Sequence, residues 1–507
     1  MNTFSLLLQG IATLLIPTNL VILGLGLIMG LLAGVLPGLT IVMGVVLVLP
    51  FTYGLGVLPA VVLLTAMYIA GTYGGAFTSI LFKIPGEPLD VPLLWDGYPM
   101  AKKGNPSLAL GWTLVSALGG GLVAGIAMVL IAQPVAKIAL LLSAPEYFAI
   151  IVFGLASVIS LSSGSLAGAV ISLAVGLLIA SVGTDQTYGI ERFTFDLPIL
   201  VEGIEYLAVM VGVYGLAEIL GRFYSGNQET AVERVGQLNT QMPTFSQIRQ
   251  LKATFVRSSL LGFIVGLVPG AGATIASFLS YGLEAQYGRR RAELGTGIPE
   301  GIVAPQTAAT ASVGGAMVPL LTMGIPGSGA TGIILGAFLL HGVQPGPNVF
   351  FNSGPLIYTI FASVFVSVIG MCLIGYFAAK LLVRVLSFPE PVVTAFVIMF
   401  CFLGAFAARN NIADLWIIVG FGLLGFIMER VKFPVAPLVL GTILGPLAES
   451  NFMTTMISYN NDWTVFFTRP ISGAIMLVTV CALGYPPFSA WRAKRRSART
   501  RGVPGHA

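Results

Sequence analysis

Residues 262–272 read GFIVGLVPGAG and residues 30–40 read GLLAGVLPGLT, so one glycine-rich pattern occurs twice in this chain. Both copies have the form Gly-x-x-x-Gly-x-x-Pro-Gly. A Pro-Gly pair interrupts a helix, because proline lacks the backbone N–H and fixes φ, whereas glycine adopts backbone angles that other residues avoid. The sequence therefore contains an internal repeat, and its defining feature is a helix break inside an apolar run.

The composition shows what kind of protein surrounds these breaks. Of 507 residues, 56% are hydrophobic and only 9% are charged, and the mean hydropathy is +0.93. Soluble domains carry about 25% charged residues. Apolar runs recur from Leu20 to Tyr485, and at about 20 residues per span they predict roughly 12 transmembrane segments. The runs are long rather than alternating, which predicts an all-α polytopic membrane protein and not a transmembrane barrel.

A second motif follows the first in each half of the chain. Residues 74–86 read GGAFTSILFKIPG, and residues 314–327 read GGAMVPLLTMGIPG. The loops after them differ in charge, since 87–105 contains two lysines whereas 341–352 contains no Lys or Arg. Basic residues mark the cytoplasmic side, so this opposite bias predicts two inverted-topology repeats with Pro-Gly-broken helices or re-entrant hairpins.

The predicted domain organisation follows from the repeat. We expect a first transmembrane repeat over 1–221, a cytoplasmic connector over 222–257, a second transmembrane repeat over 258–490 and a basic cytoplasmic tail over 491–507. The tail begins WRAKRRSARTR, which places the C-terminus in the cytoplasm by the positive-inside rule. Binding of nucleic acid or anionic lipid is the alternative for such a run, but directly after a final span a topology signal is favoured.

The helix breaks form the predicted binding site. Irregular backbone at membrane depth is expected only where it is buried in protein or lines a wet cavity, because every backbone polar group in lipid needs a partner. Free N–H groups at half-helix N-termini attract carboxylates, and freed carbonyl oxygens coordinate Na⁺. The candidate substrate-binding and ion-binding residues are the breaks and the polar residues beside them: Pro37, Gly38, Thr40, Gly74, Gly75, Thr78, Ser79, Pro85, Gly86, Pro269, Gly270, Thr274, Ser277, Gln306, Thr307, Thr310, Pro326, Gly327 and Ser328.

Simpler interpretations exist for each of these residues. Gly, Ser and Thr are general packing residues of membrane helices, and for a single threonine packing is the favoured role. Four Pro-Gly sites at matched positions together favour function. Lys83 either faces an anionic substrate or extends to the membrane interface, and Glu300 either binds a coupling ion or stabilises a helix N-terminus. The sequence leaves the metal ligands open.

Enzymatic chemistry is not predicted. The chain has no Gly-Lys dipeptide, hence no P-loop, and neither His-Glu-x-x-His nor Gly-x-Ser-x-Gly occurs. Energy for transport would then come from an ion gradient or from a partner. A channel or a stand-alone exchanger is the alternative function, and an intramembrane enzyme is a distant third.

Five segments together resemble the large membrane subunit, the TctA-type permease, of the tripartite tricarboxylate transporter family. They are GLLAGVLPGLT (30–40), YGGAFTSILFKIPGEP (73–88), DGYPMAKKG (96–104), GLVPGAGATIASFLSYGLE (266–284) and GIPEGIVAPQTAATASVGGAMVPLLTMGIPGSGATGIILGAF (297–338). The resemblance covers nearly the whole chain. It implies a bacterial inner-membrane secondary transporter that takes up carboxylates such as citrate.

The same resemblance implies two protein partners, a small four-span membrane subunit and a periplasmic solute-binding protein. It implies cation coupling without any other cofactor, with Na⁺ as the expected ion and H⁺ left open. Paired broken helices in inverted repeats are typical of alternating access around a midplane site. We therefore expect an elevator-type movement of the part that carries the breaks.

Overall fold

The computed structural model describes residues 3–36, 39–161, 165–185, 188–225, 240–379, 381–382, 390–409 and 411–483. These residues are mostly helical, and the one sheet among them is a two-stranded antiparallel hairpin of β1 (Gly183–Thr184) and β2 (Glu191–Arg192). The predicted all-α membrane class is confirmed. The inverted relation of the repeats and the number of spans stay predictions, and the expected tail (491–507) lies outside the described residues.

The helices follow one another with short connections. In the first part of the chain they are α1 (Thr3–Leu14), α2 (Pro17–Val35), α3 (Ile41–Val48), α4 (Val57–Gly74), α5 (Ala76–Phe82), α6 (Leu93–Lys102) and α7 (Pro106–Ala139). The middle part contains α8 (Ala144–Leu161), α9 (Leu166–Ala180), α10 (Pro198–Val201), α11 (Tyr206–Met210), α12 (Ala217–Ser225) and α13 (Phe245–Gln250).

The second motif copy lies in the next group, α14 (Lys252–Leu267), α15 (Gly272–Tyr287), α16 (Glu300–Met323), α17 (Gly329–Leu340), α18 (Pro347–Asn352) and α19 (Gly354–Phe377). The last group is α20 (Glu390–Arg409), α21 (Ile412–Arg430), α22 (Val435–Ser458), α23 (Val465–Thr468) and α24 (Pro470–Leu483). Short 3₁₀ turns cover Leu49–Gly54, Pro88–Asp90 and Arg291–Glu293, and a π-helical turn covers Val211–Leu216.

Six helices in the described part of the chain are long and apolar enough to cross a membrane, judged by length and composition. They occupy Pro17–Val35, Val57–Phe82, Pro106–Ala139, Gly354–Phe377, Ile412–Arg430 and Val435–Ser458. Large apolar side chains remain uncovered on their outer faces, as Leu130 (67% exposed) and Ile126 (54% exposed) show on α7. In water such surfaces would aggregate, so these faces are suited to lipid.

The chain forms two compact units. The first contains residues 1–141 and 204–431, and the second contains residues 142–203 and 432–507. All the predicted site residues belong to the first unit. The domain boundaries expected from the repeat, at 221, 257 and 490, stay predictions, and residues 226–239 of the expected connector lie outside the described part.

Glycines set the packing within the first unit. A Cβ at Gly34 in α2 would lie 2.7 Å from the Gly71 carbonyl oxygen of α4, and one at Gly266 in α14 would lie 3.0 Å from the Gly315 Cα of α16. Only glycine permits such close backbone approach. Both Gly-x-x-x-Gly stretches thus press the helix before a break against the helix that carries the Gly-Gly-Ala motif.

The second unit is held by α8, α9 and α22 and by ion pairs of Arg192 and Arg469. Arg192 on β2 donates two hydrogen bonds to the Glu449 carboxylate, at 2.5 and 3.0 Å. Arg469 donates to the buried Glu146 carboxylate at 2.6 Å. Bidentate arginine contacts fix orientation as well as charge, so Arg192 holds the hairpin against α22.

Candidate functional site

The first helix break lies between α2 and α3. Pro37 and Gly38 fall outside the described residues, and the structure resumes at Leu39. Thr40 is the N-cap of α3, and its hydroxyl accepts a hydrogen bond from the Met43 N–H at 3.1 Å. The Ile41 N–H, the first of the helix, donates to the carboxylate of Glu87. The start of α3 therefore already binds a carboxylate that the chain supplies.

The equivalent break lies between α14 and α15. Gly270 and Gly272 have φ values of 81° and 62°, the left-handed region that favours glycine. The Gly270 N–H donates to the Gly327 carbonyl oxygen at 3.0 Å, while Pro269 is buried. This bond joins the Pro-Gly break of one motif to the Ile-Pro-Gly break of the other.

The two Ile-Pro-Gly segments are packed in matching ways. Gly86 lies against Gly34 and Gly75, and a Cβ there would lie 2.8 Å from the Gly34 carbonyl oxygen. Gly327 lies against Gly266, with the corresponding separation 2.6 Å. Pro326 is buried and Pro85 is exposed. At both breaks the glycine therefore lets backbone segments approach closely, with only small side chains, Thr78 at Gly86 and Ala316 at Gly327, beside it.

Ser328 is the N-cap of α17. Its hydroxyl and that of Thr331 form a capping box, and the Tyr68 hydroxyl lies 3.0 Å from the Ser328 Oγ. Ser328 is only 7% exposed. The Glu87 carboxylate lies close enough to the Tyr68 hydroxyl to interact with it electrostatically. A polar cluster of Ser328, Tyr68 and Glu87 is thus enclosed in the first unit.

The N-termini of α3, α15 and α17 converge on this cluster. A Cβ at Gly329 would lie 3.4 Å from Cγ2 of Val42, in the first turn of α3. A Cβ at Gly272, the first residue of α15, would lie 3.6 Å from the Ser328 Cβ. Helix N-termini present unpaired N–H groups and partial positive charge. Several of them in one buried place favour an anion such as a carboxylate.

Other predicted hydroxyl residues satisfy backbone carbonyls at the breaks. The Thr78 hydroxyl donates to the Gly75 carbonyl at 2.9 Å, and the Ser277 hydroxyl donates to the Leu89 carbonyl at 2.7 Å. Ser79 reaches the Ile84 carbonyl only at 3.5 Å, and Thr274 is half-buried in the first turn of α15. Thr78 and Ser277 thus stabilise the irregular backbone that positions the N-termini.

A polar row crosses the interface between α4 and α16. The Gln306 amide donates to the Thr72 carbonyl at 3.0 Å and to the Thr310 hydroxyl at 3.3 Å. The Gln306 Oε1 and Thr307 Oγ1 atoms are buried without a hydrogen-bond partner. Such atoms are costly unless something pairs with them. Within the predicted set, Gln306 and Thr307 therefore have side-chain oxygens that can still accept or donate a hydrogen bond to a ligand. Gly74, in contrast, packs directly on Gly34 and has a structural role.

The predicted charged residues lie apart from the cluster. Lys83 is exposed, with its ammonium group 5.7 Å from the centre of the Tyr98 ring. Glu300 starts α16 and lies 3.6 Å from an Arg290 nitrogen. The same guanidinium lowers the pKa of the exposed Glu293 carboxyl through a hydrogen bond. These contacts lie in a charged loop between α15 and α16.

Three acidic side chains hold the backbone near the breaks; the sequence singled out Glu87, beside Pro85-Gly86, without deciding whether it faces the site, and gave no role to Asp90 or Asp96. Glu87 binds the start of α3, Asp90 is buried beside Gly75, and Asp96 accepts the N–H groups of Gly295, Gly297 and Ile298 at 2.8 to 3.1 Å. Asp96 belongs to the quoted segment DGYPMAKKG, so its place in a distinctive motif was the available signal. Nothing in the local sequence shows which distant backbone it contacts.

An apolar cavity in the same unit is a poor alternative for an anion. It has a volume of about 580 Å³ and is lined by side chains that include Leu25, Met29, Phe51, Phe396 and Phe400. Transfer of a carboxylate into such surroundings is strongly unfavourable. The polar cluster at the helix N-termini is the better candidate.

Comparison with known proteins agrees with the motifs. Residues 20–440 match the model of the tripartite tricarboxylate transporter TctA family. The chain belongs to this family. The TctA family consists of transporter components and not of enzymes, and its tripartite system implies partner subunits. Together with the apolar helices, membership makes the chain a multi-pass membrane protein.

Two relatives from Agrobacterium vitis are similar to this TctA-family chain. One, an uncharacterized 52.8 kDa protein in the TAR-I ttuC' 3' region, is 35% identical over 496 residues, which are 98% of either chain. The other, an uncharacterized protein in the TAR-II ttuC' 3' region, is 35% identical over 223 residues, which are 44% of this chain and 92% of that protein. No solved structure matches the chain significantly.

Proposed function

We propose that this protein carries out secondary active transport of carboxylates, citrate-like dicarboxylates or tricarboxylates, across the bacterial inner membrane. A cation gradient drives uptake, a periplasmic solute-binding protein delivers the substrate, and a small four-span membrane subunit completes the complex. The observation that carries the proposal is the convergence of the α3, α15 and α17 N-termini on one buried polar cluster. Family membership supports it independently.

The proposed mechanism uses the helix breaks in two ways. The N–H groups at the half-helix N-termini bind the substrate carboxylate, as is typical of discontinuous helices in transporters. The close glycine contacts of α2 with α4 and of α14 with α16 make each break part of a rigid body. We propose that the two motif copies are inverted repeats and that the part carrying the breaks moves as an elevator.

Reconstitution tests the proposal. The chain and its small subunit are placed in proteoliposomes, and uptake of labelled citrate is measured with an inward Na⁺ or H⁺ gradient and with a cognate binding protein, separately and together. Uptake that needs both a cation gradient and the binding protein supports the proposal. Equal uptake without the binding protein supports the stand-alone exchanger, and a substrate flux that no cation gradient stimulates contradicts coupling.

The proposed orientation has its own test. We propose that the chain lies in the inner membrane with its C-terminus in the cytoplasm, since the basic run at 492–501 marks that side. A protease-sensitive tag after Ala507 should be cleaved in inverted membrane vesicles and protected in intact spheroplasts. The reverse pattern would contradict the orientation.

A further inference from the structure

Glu87 and Asp90 form a pair of buried carboxylates next to the candidate substrate site. Glu87 is 7% exposed and Asp90 is fully buried. One oxygen of Glu87 accepts the Ile41 N–H, and Asp90 Oδ2 accepts the Glu87 N–H at 3.0 Å. Asp90 Oδ1 is buried and has no hydrogen-bond partner. Asp90 therefore keeps one buried carboxylate oxygen without a partner, while the Glu87 carboxylate is held by backbone N–H groups.

No cation compensates this pair within the described part of the chain. Neither carboxylate takes part in an ion pair with a described Lys, Arg or His. The nearest lysine in sequence, Lys83 at the end of α5, is exposed over the Tyr98 ring. From α4 the titratable neighbour is Tyr68, which bonds Ser328.

Other carboxylates on the elements packed around Glu87 and Asp90 already have partners of their own. On α15, the Glu284 carboxylate pairs with Arg257. At the start of α16, Glu300 lies near Arg290. On α6, Asp96 accepts backbone N–H groups and the Tyr281 hydroxyl. These groups are engaged elsewhere and do not neutralise Glu87 or Asp90.

Two ionised carboxylates in such a place are unfavourable. Burial removes the water that stabilises each charge, and the two like charges repel in a medium of low dielectric constant. A sodium ion would need several oxygen ligands directed at one point, whereas the adjacent carbonyls of Gly75 and Leu89 each accept a hydrogen bond, from Thr78 and Ser277, and keep one lone pair each. A proton needs only one carboxylate oxygen, and Asp90 Oδ1 is a buried one without a hydrogen-bond partner.

We propose that Glu87 and Asp90 form a proton-binding site that carries the coupling ion of transport. The pair alternates between binding one proton as a carboxylic acid and holding none, and the proton leaves to water through Glu87, the more exposed member. This inference rests on the proposed transport function. It also names H⁺ as the coupling cation, a choice that the sequence left open.

The geometry supplies a mechanism for coupling. The Glu87 carboxylate occupies the N–H of Ile41 at the start of α3, one of the N-termini of the candidate substrate site. Protonation removes the charge that this helix end attracts, which weakens the contact and frees the N–H for a substrate carboxylate. By linkage, substrate that binds there favours protonation of the pair equally. Proton and substrate therefore bind together.

Infrared spectroscopy tests the proton site without any substrate. The purified protein in lipid is titrated, and the C=O stretching band of a protonated carboxyl group is recorded. We expect such a band near neutral pH, its loss in alkaline buffer, and its loss or shift in Glu87→Gln and in Asp90→Asn. Glu293→Gln, which neutralises an exposed carboxylate, should leave the band unchanged. Absence of a titrating band in the unsubstituted protein overturns the proposal even where a variant fails to fold.

A transport assay tests the proton site separately from the proposed carboxylate transport, on which the inference rests. In proteoliposomes with the small subunit and binding protein, labelled citrate accumulation should rise with an inward proton gradient, and transport remaining in Glu87→Gln should no longer depend on that gradient. Glu293→Gln should respond as the unsubstituted protein does. Accumulation driven by Na⁺ at fixed pH overturns the proton site while leaving the proposed function intact. No carboxylate flux at all speaks against the function, and the infrared titration then decides the site alone.

Discussion

Asp96 shows how one side chain joins distant parts of the first unit. It is fully buried, and its carboxylate accepts backbone N–H groups of the loop before α16, some 200 residues later in the chain, together with the Tyr281 hydroxyl at 2.9 Å. A carboxylate that accepts several N–H groups satisfies donors that would otherwise be buried alone. Asp96 thereby fixes the N-terminal end of α16.

Replacing Asp96 with alanine should destabilise the protein by about 3 kcal/mol, because the loop N–H groups lose a charged acceptor and stay buried. The midpoint of thermal unfolding in detergent measures the effect. Asp462→Ala is the matched control, since Asp462 also accepts a backbone N–H, from Thr464 at 3.0 Å, but is exposed. Equal midpoints for the two variants would show that the Asp96 contacts contribute little.

Ser328 permits a test that separates capping from substrate binding. Ser328→Ala should cost about 1 kcal/mol of stability as a lost N-cap and should also raise the KM for citrate about tenfold, equivalent to ~1.4 kcal/mol of binding free energy. Ser165→Ala removes the N-cap of α9, which accepts the Gly168 N–H at 3.0 Å, in the second unit. It should destabilise similarly and leave KM unchanged. A shared change in KM would assign Ser328 to stability alone.

At the scale of elements, the repeated motif acts through glycine contacts. The helix before each break packs on the helix of the Gly-Gly-Ala motif. Each Ile-Pro-Gly segment packs against the same two helices, with Gly86 beside Gly34 and Gly327 beside Gly266. The sequence predicted the breaks because Pro-Gly chemistry is local. It did not predict that Thr78 and Ser277 would bond the carbonyls of Gly75 and Leu89, because those partners are defined only after the segments meet.

Alanine substitutions test these contacts. Gly34→Ala and Gly266→Ala should each destabilise the protein by about 1–3 kcal/mol, because the added methyl group meets backbone atoms that cannot move aside easily. Gly24→Ala is the control on α2, since a Cβ there has no neighbour within 4 Å. That substitution should be neutral or stabilising through helix propensity. Thermal unfolding of the three variants in detergent gives the comparison.

For the whole molecule, the elevator hypothesis requires that the two breaks change their exposure during transport. Cysteines at Leu36 and Val268, beside Pro37 and Pro269, are introduced after Cys372, Cys401 and Cys481 have been replaced by serine. Addition of citrate and a cation gradient should change the rates of modification by a membrane-impermeant reagent at both positions, and in opposite directions if the repeats are inverted. Transport that proceeds while both rates stay constant would falsify the elevator movement.

The sequence by itself determined the membrane class, the helical architecture and the positions of the helix breaks, because hydropathy, Pro-Gly chemistry and motif repetition are properties of contiguous residues. Only the tertiary structure decided which helix ends share a site. Glu87 reaches the N-terminus of a helix 46 residues earlier, and the Tyr68 hydroxyl meets Ser328 across 260 residues. Such pairs depend on how the helices pack, and packing is a property of the whole chain that no local pattern encodes.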